Sequence, residues 1–157
     1  MARSRDSQRA RVYRAERVIH STEAEPRYTM TKTRAYVRRV EKSALWAEMR
    51  RYRAAVDIGD GRGRSNAAAF AGLNYITLPI WSRQPAVILH ELAHLTVSTT
   101  AAGHGPEFAQ AHLKLVSRFM GAPAAKRLRD SYRANGVKVA RGATATPARK
   151  AAAARTF

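Results

Sequence analysis

The amino-acid sequence predicts an α+β fold in which a short, mostly antiparallel three-stranded sheet packs on helices. Apolar residues recur at helical spacing before residue 53 and after residue 85, whereas residues 53–79 alternate between strand-like stretches and turn residues. A chain of 157 residues can bury one hydrophobic core. We therefore expect a single domain over residues 1–135. Residues 136–157 are Ala-rich, basic and free of acids, which predicts a disordered tail.

The N-terminal third is expected to be helical. Residues 5–19 mix basic and apolar positions in a way that predicts a first helix, and residues 20–28 predict a loop. A second helix is predicted to begin at a cap formed by Thr31 or Thr33. Its apolar stripe runs over residues 35–49.

Three short strands are expected next, over residues 54–58, 66–71 and 74–78. The middle stretch is the weakest of them because alanine is a poor strand former. Proline then marks the start of each remaining helix: Pro85 for a nearly all-apolar helix, Pro106 for a helix to Phe119, and Pro123 for a last helix.

Composition excludes several classes of protein. The chain has no cysteine, which rules out disulfides, cysteine nucleophiles, zinc ribbons and thiolate-bound clusters. No apolar run approaches the ~20 residues of a membrane-spanning helix, and the polar N-terminus does not resemble a secretory signal. We therefore expect a cytoplasmic protein. The formal charge is +18, which favours association with nucleic acid or another polyanion.

One motif carries clear chemistry. Residues 90–94 read His-Glu-Leu-Ala-His, an H-E-x-x-H pattern. On a helix, a spacing of four residues brings both imidazoles to one face, about 6 Å apart, so that both can reach one metal ion. Glu91 lies next to that face, where a general base can take a proton from water. Chance would produce roughly 0.007 such motifs in this composition.

A catalytic zinc ion needs a third protein ligand. The best candidate is His104, which lies ten residues after His94 between two glycines and just before the Pro106 helix. The alternatives are His112, in the middle of that helix, and Glu107, in its first turn, where a carboxylate also suits the helix dipole. His20 stands alone in a loop and receives no role.

These segments resemble the SprT-like zinc metalloproteases, in which an H-E-x-x-H helix is followed by an H-G-x-x-F segment that supplies the third ligand. The matching residues here are His90 to His94 and then His104 to Phe108, preceded by a strand at residues 76–79. More narrowly, residues 5–13 and 36–40 are similar to a family of HExxH metallohydrolases found in actinobacteria and their phages. The resemblance covers about residues 5–120.

This resemblance implies a small zincin-like domain of the minigluzincin type, with His90, His94 and His104 as zinc ligands and Glu91 as the general base. For a phage protein, the compartment would be the host cytoplasm. Two features depart from the family. A cysteine-free chain cannot form the C-terminal zinc ribbon of longer members, and only nine residues separate His94 from His104.

The predicted function is that of a zinc-dependent metallohydrolase, most simply a peptidase acting on a protein or peptide substrate. Tyr75 is a first suggestion for the group that stabilises the oxyanion. Two other interpretations remain open: a nucleic-acid-binding protein that uses its basic surface and tail, and a metal-stabilised interaction protein without catalysis. Glu91 argues against the last of these, because a purely structural metal site has no use for an acid between its ligands.

Overall fold

A computed structural model describes residues 5–50, 52–70 and 73–141 of the chain. The described part contains six α-helices and a small three-stranded sheet, which confirms the predicted α+β class. The elements in chain order are α1 (Arg9–Glu16), α2 (Met30–Glu41), α3 (Ala44–Met49), β1 (Asp57–Gly59), β2 (Ala68–Phe70), β3 (Tyr75–Thr77), α4 (Pro85–His94), α5 (Pro106–Phe119) and α6 (Ala122–Ala134).

Capping residues divide the predicted second helix into two. The cap of α2 is Thr29, whose hydroxyl oxygen accepts a hydrogen bond of 3.1 Å from the backbone N–H of Lys32. The cap therefore lies two residues before Thr31, the earlier of the expected positions. The helix ends at Glu41, and Ser43 caps α3 by accepting from the N–H of Trp46. A side-chain oxygen at such a position binds an N–H group that the first helical turn leaves free.

The sheet has the order β1-β3-β2 and is mixed rather than mostly antiparallel. Ile76 on the central strand lies opposite Ile58 in the parallel β1–β3 pair and opposite Ala69 in the antiparallel β2–β3 pair. A short connection joins β2 to β3 and makes that pair antiparallel. The first strand pairs with the other side of β3, away from β2, and runs parallel to it. This order leaves β2 at an edge.

Helix α4 lies at the centre of the domain. Its residues from Ala86 to Ala93 are all buried, as expected for a helix that is apolar on nearly every side. It packs on α5 and on β2, while α5 packs on α6 and α6 on α1. Because the neighbours cover all sides of α4, its rotation about its own axis is fixed, and so are the directions of the histidines that it carries.

The first described residues of the predicted tail run along the domain. Val137 is buried, and the backbone N–H of Lys138 donates to Oε1 of Gln8 at 3.0 Å. The N–H of Ala140 donates to the carbonyl oxygen of Pro106 at 2.9 Å. Residues 136–141 thus pack on the domain, and residues 142–157 lie outside the described residues. None of the described helices combines the length and apolar character that crossing a membrane requires.

Candidate metal centre

Three histidine side chains meet at one point in the structure. His90 and His94 project from the same face of α4, one helical turn apart, and their Nε2 atoms are 3.2 Å from each other. His104 approaches from the loop before α5, with its Nε2 atom 3.3 Å from Nε2 of His90. His90 and His104 are buried, and His94 is partly exposed. Among the described residues, these three form a group that could hold a metal ion.

Aromatic rings support the three imidazoles. Phe108, in the first turn of α5, is fully buried and stacks on His94 with ring centroids 4.5 Å apart. Its centroid also lies 4.7 Å from that of His90. Tyr13 of α1 stacks on His90 at 5.5 Å and tilts against His104 at 4.9 Å. Because these rings pack from two elements distant in sequence, the imidazoles have little freedom to rotate away from one another.

Two carboxylates bind the other nitrogens of the histidines. Oε2 of Glu16, at the end of α1, lies 2.7 Å from Nδ1 of His90. Oδ2 of Asp6 lies 2.8 Å from Nδ1 of His104, and its Oδ1 accepts from the backbone N–H of the same histidine at 3.1 Å. An ionised carboxylate only accepts hydrogen bonds, so each Nδ1 carries the proton. When both rings are neutral, the Nε2 atoms of His90 and His104 each present a lone pair, and the two atoms lie 3.3 Å apart.

The charges of this group are strongly coupled. Burial by itself would raise the pKa of Glu16, but the charge and hydrogen bond of His90 hold it well below its ordinary value. Burial by itself would lower the pKa of His90, yet Glu16 outweighs that effect and raises it. Burial, together with the neighbouring imidazoles, lowers the pKa values of His94 and His104. These two side chains are therefore neutral near pH 7, as metal ligands must be.

Glu91 lies beside the histidines without belonging to their group. It is buried, and it lines the same cleft as His94 and His104. Burial raises the pKa of its carboxyl group to about 7, despite the opposing charge of His90. A carboxyl group with such a pKa accepts and releases protons near neutral pH, which is the property that a general base or acid requires.

An open cleft of about 620 Å³ gives access to this centre. Glu91, His94 and His104 line it beside residues 67–70, which comprise β2 and the residue before it. Asp6, Arg9 and Tyr13 also line it, from α1 and the segment before α1. Tyr75, the suggested oxyanion group, instead stacks on Phe70, and it is not among the residues that line the cleft.

The structure separates the alternative third ligands from the histidine group. His112 is fully buried on α5, and its Nδ1 atom lies 3.0 Å from the hydroxyl oxygen of Tyr132. Glu107 is exposed in the first turn of α5. His20 lies near Glu16, with 3.8 Å between Nε2 and Oε1. The structure thus brings together His90, His94 and His104, and it does not bring His20, Glu107 or His112 to the same point.

Glu16, His90 and His112 form a second buried group of potential ligands. The distance from Nδ1 of His90 to Oε2 of Glu16 is 2.7 Å, which is a typical length for a charge-assisted hydrogen bond. Nδ1 of His112 lies farther away, 3.9 Å from the same oxygen. We therefore interpret the Glu16–His90 contact as a hydrogen bond that orients His90, and His112 as a neighbour outside that bond.

Sequence reasoning missed Asp6, Tyr13 and Glu16. One signal could have pointed to Glu16: it is the only acid in the basic helix α1, and it shares a face with the apolar residues Val12 and Ala15. An acid on the buried face of a helix needs a hydrogen-bonding partner. Asp6 and Tyr13 carry no comparable signal, since an isolated acid or tyrosine near the N-terminus is usually a surface residue.

Comparison with known proteins adds no relative: the chain matches no protein-family model, no curated protein and no solved structure.

Proposed function

We propose that the protein is a zinc-dependent hydrolase and that it cleaves peptide bonds. The observation that carries this proposal is the convergence of three histidine Nε2 atoms beside the buried Glu91 carboxyl group, at an open cleft. The order of the elements, with strand β3 before the HExxH helix and His104 before α5, agrees with the resemblance to SprT-like zinc metalloproteases. It supports assignment to a small zincin-like fold.

The spacing of the histidines suits zinc. With Zn–N distances of 2.0–2.1 Å and tetrahedral angles, ligand nitrogens lie about 3.3 Å apart. The Nε2 atom of His90 is 3.2 Å from that of His94 and 3.3 Å from that of His104. A cation at this point would accept a lone pair from each neutral imidazole. Three protein ligands with one open position are also the pattern of catalytic zinc, whereas structural sites are closed by four ligands.

The residues of the centre have distinct tasks. When bound, zinc supplies Lewis acidity that lowers the pKa of water toward ~7 and polarises a carbonyl group. Glu91 takes a proton from the attacking water at its carboxylate and passes it to the leaving amine. Glu16 and Asp6 keep the protons of His90 and His104 on Nδ1, so that both Nε2 atoms stay available.

A peptide suits the cleft because of β2. This strand pairs with β3 and forms an edge of the sheet, and residues 67–70 line the cleft. An edge strand offers free backbone N–H and C=O groups, to which an extended peptide can add as a further strand. The small side chains of Ala67, Ala68 and Ala69 leave room for such a peptide beside Glu91.

The test is hydrolysis of an unfolded protein such as casein by the zinc-loaded full-length chain. We expect cleavage that stops when a chelator removes the metal and returns when zinc is restored. Protein that binds one zinc ion per chain but cleaves no polypeptide, with or without DNA, would contradict the proposal. That result would favour a metal-stabilised interaction protein.

Removing the charge of Glu16 tests the support of the metal ligands. We expect Glu16→Gln to lower zinc affinity by about 10–100-fold, because carboxylates bound to ligating histidines raise their basicity and fix their orientation. Competition with a chelating dye measures the change. Glu23→Gln, which alters an exposed acid, is the matched control. Equal zinc affinity of the Glu16 variant and wild type would show that Glu16 does not act through His90.

A second candidate function is non-specific binding of nucleic acid, and the charge distribution of α1 favours it. Arg9, Arg11 and Arg14 are exposed on this helix, as is Arg17 just after it, whereas its one acid, Glu16, is buried against His90. The charged groups on the exposed surface of α1 are therefore all positive. A row of arginines of this kind attracts phosphate groups without reading their sequence.

Charge reversal on α1 tests this candidate. The double variant Arg11→Glu, Arg14→Glu is expected to weaken duplex binding and to reduce the salt dependence by about 0.9 log unit for each phosphate group that the protein no longer neutralises. Titration of a labelled duplex at two salt concentrations measures both effects. The control is Lys42→Glu, Arg53→Glu, which makes the same change in net charge at exposed positions elsewhere. Equal effects of the two double variants would mean that overall charge, and not α1, determines the binding.

A further inference from the structure

We infer that Arg9 forms a subsite for a substrate carboxylate, so that the cleft selects peptides with an Asp or Glu side chain next to the bond to be cleaved. This inference rests on the proposed peptidase function and names the substrate class of the same site. Three features of the structure carry it: the place of Arg9 in the cleft, its lack of an ionic partner among the described residues, and the chemistry of the surrounding cleft.

Arg9 is placed close to the reacting centre. It is the first residue of α1 and lines the cleft together with Glu91, His94 and His104. Its guanidinium carbon lies 5.6 Å from the ring centroid of Tyr13, one helical turn further along. That ring in turn lies 4.9 Å from the ring of His104. The cation–π contact thus holds Arg9 one aromatic ring away from a proposed metal ligand.

The guanidinium group also lacks an acidic partner among the described residues. Arg9 is exposed, and no acid among the described residues forms an ion pair with it. The nearest acid in sequence, Asp6, uses both carboxylate oxygens on His104. A guanidinium group presents a planar fork of N–H donors that matches the two oxygens of a carboxylate. Arg9 therefore keeps guanidinium N–H donors for a ligand in the cleft, beside the hydrogen bond that it makes to Tyr13.

The other residues that line the cleft make the guanidinium group of Arg9 selective for a single carboxylate. Among the described lining residues, Arg9 is the one Lys or Arg, and the β2 side contributes three alanines and Phe70. A peptide extended along β2 turns alternate side chains to opposite faces. One of these side chains can reach Arg9, while others meet the apolar side of the cleft that β2 forms. Within the cleft, a single cation suits a single side-chain carboxylate, and the other arginines of α1 do not line the cleft.

Peptide binding tests the inference without relying on turnover. The protein is the full-length, zinc-loaded Glu91→Gln variant, which we expect to bind peptides without cleaving them. The probes are two fluorescein-labelled decapeptides that differ only at four central positions, Glu in one and Gln in the other. We expect about tenfold tighter binding of the Glu peptide, the effect of one charge-assisted hydrogen-bonded pair.

Variants of Arg9 should change that preference in a defined way. Adding Arg9→Met should abolish it, and adding Arg9→Glu should make a matched Lys peptide the tighter ligand. The control is Arg129→Glu, which makes the same charge change at an exposed position on α6 and should keep the preference for Glu. Because Arg9 is exposed, these substitutions leave the core unaltered, and thermal unfolding checks this directly.

Several results would overturn the inference. One is that the Glu and Gln peptides bind equally well, and another is that neither binds. A third is that Arg129→Glu loses the preference for the Glu peptide to the same extent as Arg9→Glu. A DNA duplex that binds through Arg9 more tightly than the Glu peptide would assign the residue to nucleic acid instead.

Cleavage by the wild type separates this inference from the proposed function. Hydrolysis of both peptides at equal rates overturns the inference alone, whereas Arg9-dependent binding without any hydrolysis overturns the peptidase proposal alone.

Discussion

The variant His94→Ala is expected to lose bound zinc and the stability that zinc supplies. Substitution of a residue that only orients a ligand costs 10–100-fold in metal affinity, so loss of a ligand itself should cost about 100-fold or more. Free zinc at 100 times its dissociation constant stabilises a folded protein by about 2.7 kcal/mol. For a chain of this size that corresponds to a rise in Tm on the order of 5–10 °C. We expect this rise in the wild type and none in His94→Ala.

Metal content per folded chain and zinc-dependent thermal unfolding measure the effect. His104→Ala should behave in the same way as His94→Ala. The matched control is His112→Gln, which alters a buried histidine bonded to Tyr132 and outside the group of three. If His104→Ala kept full zinc occupancy while His112→Gln lost it, the assignment of the third ligand would be wrong.

The variant Glu91→Gln is expected to keep zinc and the fold but to lose hydrolysis. The side chain is not one of the three proposed ligands, and an amide of nearly the same shape fills its buried position. The amide of Gln cannot accept the proton of the attacking water, and loss of a general base typically costs about 10²–10⁴-fold in rate. Initial rates of casein cleavage, compared at equal zinc occupancy, measure this loss.

The exposed Glu107 provides the control for Glu91. Glu107→Gln removes the same charge in the first turn of α5 and should leave the rate within a factor of about two, since surface substitutions rarely change free energies by more than ±0.5 kcal/mol. A Glu91→Gln variant that cleaved casein at the wild-type rate would refute the proposed role of this carboxyl group, even with the metal in place.

Three acids of this basic chain lie at the candidate centre. Of 11 Asp and Glu residues, Asp6 and Glu16 bind the proposed ligands and Glu91 lies beside them. Carboxylates near a bound cation offset its charge, whereas most arginines remain on the surface. The exposed arginines give the outside of the molecule its positive charge, while these three acids lie against the histidines. This separation allows one chain to combine a metal centre with a cationic exterior.

Much of the candidate site follows from local sequence. The apolar run around residues 85–95 predicts a buried helix, and a spacing of four residues brings two histidines to the same face of any such helix. The glycines that flank His104 and the proline after it predict a turn before a new helix, and α5 does begin at Pro106. These predictions succeed because periodicity, turn formation and helix initiation depend on a few consecutive residues.

The partners of the histidines and the order of the strands were decided only by the tertiary structure. Asp6 is 98 positions from His104, and Glu16 is 74 positions from His90. Their contacts exist because α1 packs on α6, and α6 packs on α5. Likewise, only the folded chain shows that β1 pairs with β3 in parallel, on the side of β3 opposite to β2. The sequence by itself determined which side chains can bind a metal. The packing of distant elements decided which acids orient those side chains and where the cleft opens. It also decided that Arg9 borders the cleft. The reason is that burial of apolar surface depends on the whole chain and not on any short stretch of it.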